Sequence, residues 1–295
     1  MAAVPKSGGL FAAAVVAAGA SMWGLYWVPL RAAEEIGAAG PWAVVLFNLP
    51  ALLVSLLIWL WFSRRPEGRL GPVLLAGLFA GLGLALYAAG LVYSSVVRVT
   101  LLFYLTPVWS TLLAMAFLGE RTGLKRWASL GLGLVGLFLV LGGSPGDISV
   151  GFGLGEALGL LSGVSWAAAA VMIRGGLNSG VTPWVFVQYI VVVATAAAIG
   201  AAMGETTPDL TLAWEVTLSW IAVFSVVIMV SIYAIFWALE RMSPGRAGLL
   251  MMTEVVVAVI SAAIFLPEET MSPVEWTGAA LIVGAGVLEV FGDEA

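Results

Sequence analysis

The sequence contains no cysteine and no histidine among its 295 residues. Without cysteine, the chain cannot form a disulfide framework, use thiol chemistry or build a thiolate metal site. Without histidine, it lacks the commonest protein metal ligand and a frequent proton shuttle. We therefore predict no metal site, no cofactor and no catalytic residues, and we do not expect an enzyme.

Charged residues are also scarce, since they make up 10% of the chain against about 25% in soluble domains. Hydrophobic residues make up 62%, and the mean hydropathy is +1.08. The apolar runs are about 20 residues long and do not alternate with period two, which favours membrane-spanning helices over a β-barrel. The predicted fold class is an all-α polytopic membrane protein, and the 36 glycines within its apolar runs favour close helix packing.

Ten apolar runs approach the roughly 20 residues that a bilayer requires. They cover residues 10–30, 41–62, 71–93, 97–118, 125–142, 153–174, 183–203, 214–238, 246–266 and 274–291. The first run begins like a signal peptide, but it continues through Trp23, Tyr26 and Trp27. We therefore predict an uncleaved helix.

Lysine and arginine set the orientation of the spans. With the N-terminus inside, ten of the twelve basic residues are cytoplasmic and only Arg31 and Arg98 are outside. This distribution satisfies the positive-inside rule, so both termini are predicted to be cytoplasmic. Basic clusters such as Arg64-Arg65 are topology determinants, and we expect no nucleic-acid partner.

The stretch from Arg98 to Arg121 is the most distinctive part of the chain. It is an apolar run with Pro107 in its middle and arginine at both ends. A related run, from Arg246 to Glu269, follows at an offset of 148 residues, on which Thr106 maps to Glu254. A carboxylate in the middle of an apolar span marks a candidate functional position.

Similar matches extend over the whole chain and indicate an internal repeat. Trp23 pairs with Trp166, Arg31 with Arg174, Pro41-Trp42 with Pro183-Trp184 and Trp127 with Trp276, at offsets of 143, 143, 142 and 149. We infer two five-helix repeats, residues 1–145 and 146–295; chance matching in a tryptophan-rich sequence is the alternative. Because five is odd, the second repeat would be inverted, as in secondary transporters with a site near the membrane midplane.

Several of these residues resemble those of the drug/metabolite transporter superfamily, EamA type. The resemblance rests on Trp23-Gly24, Tyr104 with Pro107, Leu118-Gly119-Glu120, Lys125-Arg126 and the glycines at 131, 133 and 136. Within the superfamily the chain is most similar to the YddG-like aromatic amino-acid exporters. The resemblance implies ten helices in two inverted repeats, a multi-pass protein of the bacterial inner membrane, and gating by helices 3, 4, 8 and 9.

The second half departs from this family pattern. Ala167 follows Trp166, Val255 stands where Pro107 maps, and Pro267-Glu268 replaces Gly-Glu. We therefore expect the two halves to contribute unequally to the site.

Glu254 is the charged residue placed deepest within a predicted span. Its helix face carries small, polar or flexible residues, namely Ala247, Met251, Ala258 and Ser261. One interpretation is a ligand for a cationic or zwitterionic substrate, or a proton-binding site. The other is a structural carboxyl group bonded to a neighbouring helix.

Aromatic residues within the spans form a second candidate set. The predicted substrate-binding residues are Trp23, Tyr87, Tyr104, Trp166, Tyr233, Trp237, Met252 and Glu254. A cavity lined with Trp and Tyr suits an apolar or aromatic substrate with polar groups. The alternative is an aromatic belt at the membrane interface, which we apply to Trp42, Trp59, Trp61, Trp184, Trp214 and Trp276.

Pro107, Gly83 and Gly90 are predicted gating or hinge positions, because proline and glycine permit bends or close packing in spans. Asn48 and Gln188 are predicted to bridge helices, and hydrogen bonding to a substrate is the alternative for both.

The sequence as a whole favours a secondary transporter of small organic solutes, above all amino acids including aromatic ones, that works by alternating access through a central aromatic-lined cavity. Export as the direction is what the family resemblance implies. Export of lipophilic drugs, nucleosides or cations is the alternative, and a membrane enzyme or scaffold is less favoured. The expected partners are a small-molecule substrate and the bilayer.

Overall fold

A computed structural model describes residues 6–35, 37–38, 40–62, 70–94, 96–141, 152–175, 182–207, 217–265 and 272–291. Within these ranges the chain forms α-helices and no strand. The helices are α1 Lys6–Trp23, α2 Trp27–Glu35, α3 Pro41–Phe62, α4 Leu70–Tyr93, α5 Val96–Phe103, α6 Thr106–Leu118, α7 Leu124–Val140, α8 Leu154–Arg174, α9 Thr182–Ala202, α10 Thr217–Leu239, α11 Pro244–Met251, α12 Thr253–Phe265 and α13 Pro273–Phe291.

Nine segments of the described chain are long and apolar enough to cross a membrane. A further helix, α7, occupies the fifth predicted span with 17 residues. Large apolar side chains project outward from the bundle, among them Leu124 at 85% exposure and Trp61 at 78%. Such an apolar outer surface suits contact with lipid, so the all-α membrane class is confirmed. The count of ten spans and the orientation stay predictions.

The fourth span is broken into α5 and α6 at Tyr104-Leu105. Pro107 has no N–H to donate to the carbonyl of Phe103, and that carbonyl accepts a hydrogen bond from Thr106 Oγ1 instead. Leu105 N donates to Leu102 O at 3.3 Å, which is the tighter i to i−3 pattern. The proline therefore accounts for this break.

The ninth span is broken at Met252, between α11 and α12, although it contains no proline there. Met252 follows Tyr104 by 148 residues, so the two breaks lie at equivalent positions of the predicted repeat. The Thr253 hydroxyl donates to Leu250 O at 2.9 Å and lies 3.2 Å from Ala17 O on α1. At the second break the carbonyl of Leu250 therefore accepts a hydrogen bond from a side-chain hydroxyl.

The first span is also broken, by a turn at Gly24–Tyr26 between α1 and α2. Its counterpart α8 runs without interruption from Leu154 to Arg174. A Cβ on Gly24 would lie 2.5 Å from Glu254 O, so glycine permits this turn to pack against α12. The two halves therefore differ in their first spans: a turn interrupts the span of the first half, and the span of the second half is one continuous helix.

Glycines hold several helices in close contact. A Cβ on Gly136 would lie 2.7 Å from Gly278 O, which joins α7 to α13. A Cβ on Gly163 would lie 2.7 Å from Phe103 O, which joins α8 to α5. Small residues permit the backbone approach on which helix packing in membranes depends.

Ion pairs tie helix ends together on both sides of the bundle. Arg98 at the start of α5 lies 2.5 Å from Glu156 on α8, and Ser94 donates to the same carboxylate oxygen. Arg126 on α7 lies 3.0 Å from Glu289 on α13. Arg98 therefore joins two helices on the predicted outer side, whereas the side chain of Arg31 lies outside the described residues.

The orientation gives a testable prediction. Because the chain has no native cysteine, single cysteines report topology in an otherwise unreactive background. An impermeant maleimide added to intact cells is expected to label cysteines at positions 37 and 147, but not at 67 or 122. Labelling at position 122 from outside would contradict the inverted arrangement of the two repeats.

Candidate functional site

A cavity of about 470 Å³ lies among α1, α2, α3, α4, α5, α8, α9, α10 and the broken ninth span. Its wall includes Gly40 and Pro41, which lie at the end of α3 that the positive-inside rule assigns to the exterior. Its volume falls within the range of about 300–1,000 Å³ typical of small-molecule sites. The cavity is therefore the candidate functional site.

The crossing of α6 and α11 closes the bundle on the other side. A Cβ on Gly248 would lie 3.1 Å from the Cα of Pro107, and a Cβ on Gly245 would overlap the Thr111 hydroxyl. Pro107 and Thr111 are buried, as are both glycines. The two broken spans therefore touch where they continue toward the predicted cytoplasmic side.

Among the described residues that line the cavity, Glu254 alone is an acidic or basic residue. It lies in the first turn of α12, where the helix dipole attracts negative charge. The hydroxyl of Tyr104 donates a hydrogen bond to its carboxylate, and the ring of Tyr87 lies close enough to interact electrostatically. This arrangement can hold an ammonium group or a proton at the cavity wall.

Aromatic rings form much of the remaining wall. Those that line the cavity are Trp23, Tyr26, Trp27, Tyr87, Phe103 and Trp166. Trp23 and Tyr26 are 5.2 Å apart between ring centroids, and Tyr87 and Phe103 are 4.8 Å apart. Such contacts fix the rings, so the wall offers flat apolar faces to an aromatic solute.

The structure brings four of the eight predicted binding residues to the cavity, namely Trp23, Tyr87, Trp166 and Glu254. Tyr104 is 5% exposed and lies behind Glu254, to which it donates. Met252 is fully buried in a separate cluster with Leu130 and Leu137, away from the cavity. Its neighbour Met251 lines the cavity instead, because adjacent residues of a helical segment point about 100° apart.

The two aromatic residues predicted on α10 do not reach the cavity. Tyr233 is half-buried and packs against the main core, and Trp237 lies about one helical turn nearer the predicted cytoplasm. The ring of Trp237 lies 5.7 Å from that of Phe11 and 4.2 Å from the guanidinium of Arg241. The structure therefore places Trp237 at the end of a helix, beside a basic residue.

A model of the EamA-like transporter family matches residues 10–142 and again residues 153–290. The chain belongs to the EamA-like transporter family. It is therefore a multi-pass membrane transporter, as the sequence analysis predicted.

Among relatives of this EamA-like chain is the uncharacterized inner membrane transporter YedA of Escherichia coli (strain K12). The two are 26% identical over 302 residues, which cover 98% of this chain and 92% of YedA. A riboflavin transporter of Rhizobium johnstonii is 30% identical over 151 residues, or 50% of this chain and 47% of that protein. An uncharacterized transporter of Archaeoglobus fulgidus is 33% identical over 134 residues, or 45% of this chain and 47% of that protein. This chain thus spans about half the length of these last two relatives.

A solved crystal structure shares the fold of this EamA-like chain. It aligns with a TM-score of 0.69 and 22% identity, over 94% of this chain and 95% of the other. The likeness concerns the fold alone. It agrees with the all-helical architecture described above.

The predicted hinge residues of the EamA-like transporter lie at helix contacts. Pro107 lies in the first turn of α6 and touches α11. A Cβ on Gly83 would lie 3.2 Å from the Cβ of Trp166, and one on Gly90 would lie 2.9 Å from Val99. Since α4 is a continuous helix, its glycines serve close packing in this structure and do not interrupt the helix.

Sequence reasoning missed Tyr26 and did not commit to Trp27 or Asn48 as residues of the EamA-like site, and it misplaced one tryptophan. Tyr26, Trp27 and Asn48 line the cavity, and the turn at Gly24 is what orients the first two. The Trp-Gly pair in the first span was the available signal. Trp184, predicted to lie in the interfacial belt, is 1% exposed within the main core, so that prediction was wrong.

Proposed function

We propose that this EamA-like protein is a secondary transporter that exports small organic solutes, with amino acids, including aromatic ones, as the first candidates. The proposal rests on one observation: aromatic rings line much of the cavity wall, and Glu254 is its acidic residue. The rings would contact an apolar side chain, and the carboxylate would accept hydrogen bonds from its ammonium group. Trp23, Tyr87, Trp166 and Glu254 are the proposed contacts.

Alternating access is the proposed mechanism. The wall of the cavity includes Gly40 and Pro41 at the predicted exterior end of α3, and α6 and α11 are in contact toward the predicted cytoplasmic side. Separation of these two helices would open the predicted cytoplasmic side, with Pro107 at the contact that breaks and with Gly83 and Gly90 at the contacts of α4 that would adjust. The matches of the family model to residues 10–142 and 153–290 support two repeats, 1–145 and 146–295, that move against each other.

The proposed location is the bacterial inner membrane, with both termini in the cytoplasm. The name of the YedA relative supports this membrane. The distribution of lysine and arginine supports the orientation.

A flat heterocyclic metabolite is the second candidate substrate. A relative named as a riboflavin transporter favours it, and so does the aromatic wall of the cavity. Such a solute would stack on the rings without requiring the charge of Glu254.

Counterflow in proteoliposomes tests this proposal. Vesicles preloaded with unlabelled solute would be diluted into labelled tryptophan, phenylalanine, riboflavin or a lipophilic cation. We expect transient accumulation of tryptophan and phenylalanine that protein-free liposomes do not show. Accumulation of riboflavin alone would select the second candidate, and accumulation of none of the four would contradict both.

A further inference from the structure

Tyr26 is a half-buried wall residue of the cavity, in the turn that interrupts the first span. Its hydroxyl oxygen accepts a hydrogen bond from Nδ2 of Asn48 on α3, at 3.4 Å. The same nitrogen donates to Val44 O at 2.8 Å, which holds the amide in place. A phenol is both a donor and an acceptor, and the proton of the Tyr26 hydroxyl has no acceptor among the described residues. This proton is therefore available to a bound solute.

Packing fixes the direction in which this hydroxyl group points. The ring of Tyr26 meets that of Phe47 edge to face, with 4.7 Å between their centroids, and lies 5.2 Å from the ring of Trp23. The turn itself is held against α12 at Gly24, where a Cβ would lie 2.5 Å from Glu254 O. A donor that is held in this way loses little conformational freedom when a solute binds.

Two other polar side chains of the wall are already paired. The indole N–H of Trp27 donates to the Ser261 hydroxyl at 3.0 Å. The Tyr87 hydroxyl lies 2.9 Å from the Thr100 hydroxyl and shares a hydrogen bond with it. A solute would have to break an existing hydrogen bond to recruit either group, whereas it could accept the proton of Tyr26 without such a loss.

The remaining donors of the described wall are less accessible than Tyr26. The indole N–H of Trp23 is buried, and Trp166 is 4% exposed. The backbone N–H groups of residues 24–26 donate to preceding carbonyl oxygens within the turn. The hydroxyl of Tyr26 is therefore the donor of the described wall that is best placed to reach a solute.

An amino acid would bring a carboxylate as well as an ammonium group into this cavity. Glu254 can accept hydrogen bonds from the ammonium group but repels a second carboxylate, and no basic residue lines the described wall to offset that repulsion. Burial of a carboxylate costs free energy unless hydrogen-bond donors contact it. A hydrogen bond from a hydroxyl group to a carboxylate is roughly twice as strong as one between neutral groups, so a single fixed donor has a large effect here.

The donor and the acidic residue occupy different parts of the wall. The Tyr26 hydroxyl faces α3, through its contact with Asn48. The Glu254 carboxylate faces Tyr104 and, on α4, Tyr87. A zwitterion that lies between these groups can direct its ammonium group toward Glu254 and its carboxylate toward Tyr26.

We propose that the Tyr26 hydroxyl binds the carboxylate of an amino-acid substrate and thereby makes the transporter select zwitterions over amines. The inference rests on the proposed function, because it takes the cavity to hold an amino acid. It adds a second polar contact to that of Glu254, and it names the chemical feature, a free carboxylate, that the substrate must carry. Amines with the same ring and the same ammonium group are therefore expected to be poor substrates.

The test compares ligands that differ only in the carboxylate. Tryptophan and tryptamine form one pair, and phenylalanine and phenethylamine form the other. Isothermal titration into the purified full-length protein in detergent is expected to show about tenfold tighter binding of the amino acid than of the amine in at least one pair, as a charge-assisted hydrogen bond predicts. In Tyr26→Phe, which keeps the ring, this ratio is expected to fall to about one through weaker binding of the amino acid, while the affinity for the amine stays the same.

Tyr189→Phe is the matched control, because it removes the hydroxyl of another tyrosine, one that is 1% exposed and lies outside the described wall of the cavity. It is expected to keep the wild-type ratio. Asn48→Leu is a second variant, because it removes the amide that holds the Tyr26 hydroxyl. It is expected to lower the ratio by a smaller factor than Tyr26→Phe.

Equal or tighter binding of the amine by the wild type in both pairs would overturn the role of Tyr26. A wild-type ratio retained by Tyr26→Phe would overturn it as well, and the ratio in Asn48→Leu decides the question if Tyr26→Phe does not fold. Both of these results leave the proposed function intact as long as tryptophan accumulates in counterflow. Failure of the wild type to bind or to accumulate either amino acid would overturn both, so the two failures are distinguishable.

Discussion

Replacement of Glu254 by glutamine is expected to weaken amino-acid binding roughly ten- to hundredfold. A hydrogen bond to a charged group contributes roughly 1.5–3 kcal/mol, and glutamine removes the charge while it keeps the shape of the side chain. Glu254 is the charged group of the described cavity wall, so no neighbouring carboxylate replaces it there. Isothermal titration of tryptophan into the purified variant measures the change.

The same substitution is expected to flatten the pH dependence of transport. The ammonium group is bound well only while Glu254 is ionised, so affinity falls as the pH drops through the pKa of this carboxyl group. The titratable groups that face it, Tyr104 and Tyr87, are phenols that stay neutral over the acidic range. Initial rates of counterflow between pH 5 and pH 8 are expected to slope in the wild type and to stay level in Glu254→Gln.

Two variants serve as controls for Glu254. Glu254→Asp keeps the charge at shorter reach and is expected to retain partial function. Tyr104→Phe removes the hydroxyl that donates to the carboxylate but leaves the charge, so a smaller loss is expected. Unchanged affinity together with an unchanged pH profile in Glu254→Gln would show that the carboxylate is structural.

Replacement of Trp166 by alanine is expected to abolish transport, in part because it damages the fold. Trp166 is 4% exposed, and its ring centroid lies 6.1 Å from that of Phe236. Truncation of a buried tryptophan to alanine costs about 3–5 kcal/mol of folding free energy. This substitution therefore does not separate a cavity role from a packing role.

A comparison of Trp166→Phe with Trp184→Phe separates the cavity role of Trp166 from its packing role. Both tryptophans are nearly fully buried in the same core cluster, but only Trp166 lines the cavity. Both variants are expected to lower the thermal unfolding temperature. Only Trp166→Phe is expected to raise the KM for tryptophan, by about two- to tenfold, because specific aromatic contacts contribute about 0.5–1.5 kcal/mol.

An equal KM in the two phenylalanine variants would mean that Trp166 contributes packing alone. A raised KM in Trp184→Phe with a normal KM in Trp166→Phe would place the transport path elsewhere. Either result would remove the aromatic wall from the proposed mechanism.

The sequence by itself determined the membrane class and the approximate spans, because hydropathy and run length follow from composition without any tertiary contact. It also located the break near Pro107, since a missing N–H is a local property. The offset of 148 residues identified Glu254, and the structure places this residue in the cavity wall.

The tertiary structure decided which side chains meet. Met251 lines the cavity, whereas Met252 packs in a separate cluster with Leu130 of α7 and Ile282 of α13. Gly24 allows a turn only because α12 packs against it, and that turn orients Tyr26 and Trp27. Trp184 and Gln188 on α9 are buried because α3 and α4 pack against that helix. Helix periodicity shows which residues share a face of a helix, but not which element packs against that face. The packing partner determines whether the face lies in the core, against lipid or at the cavity.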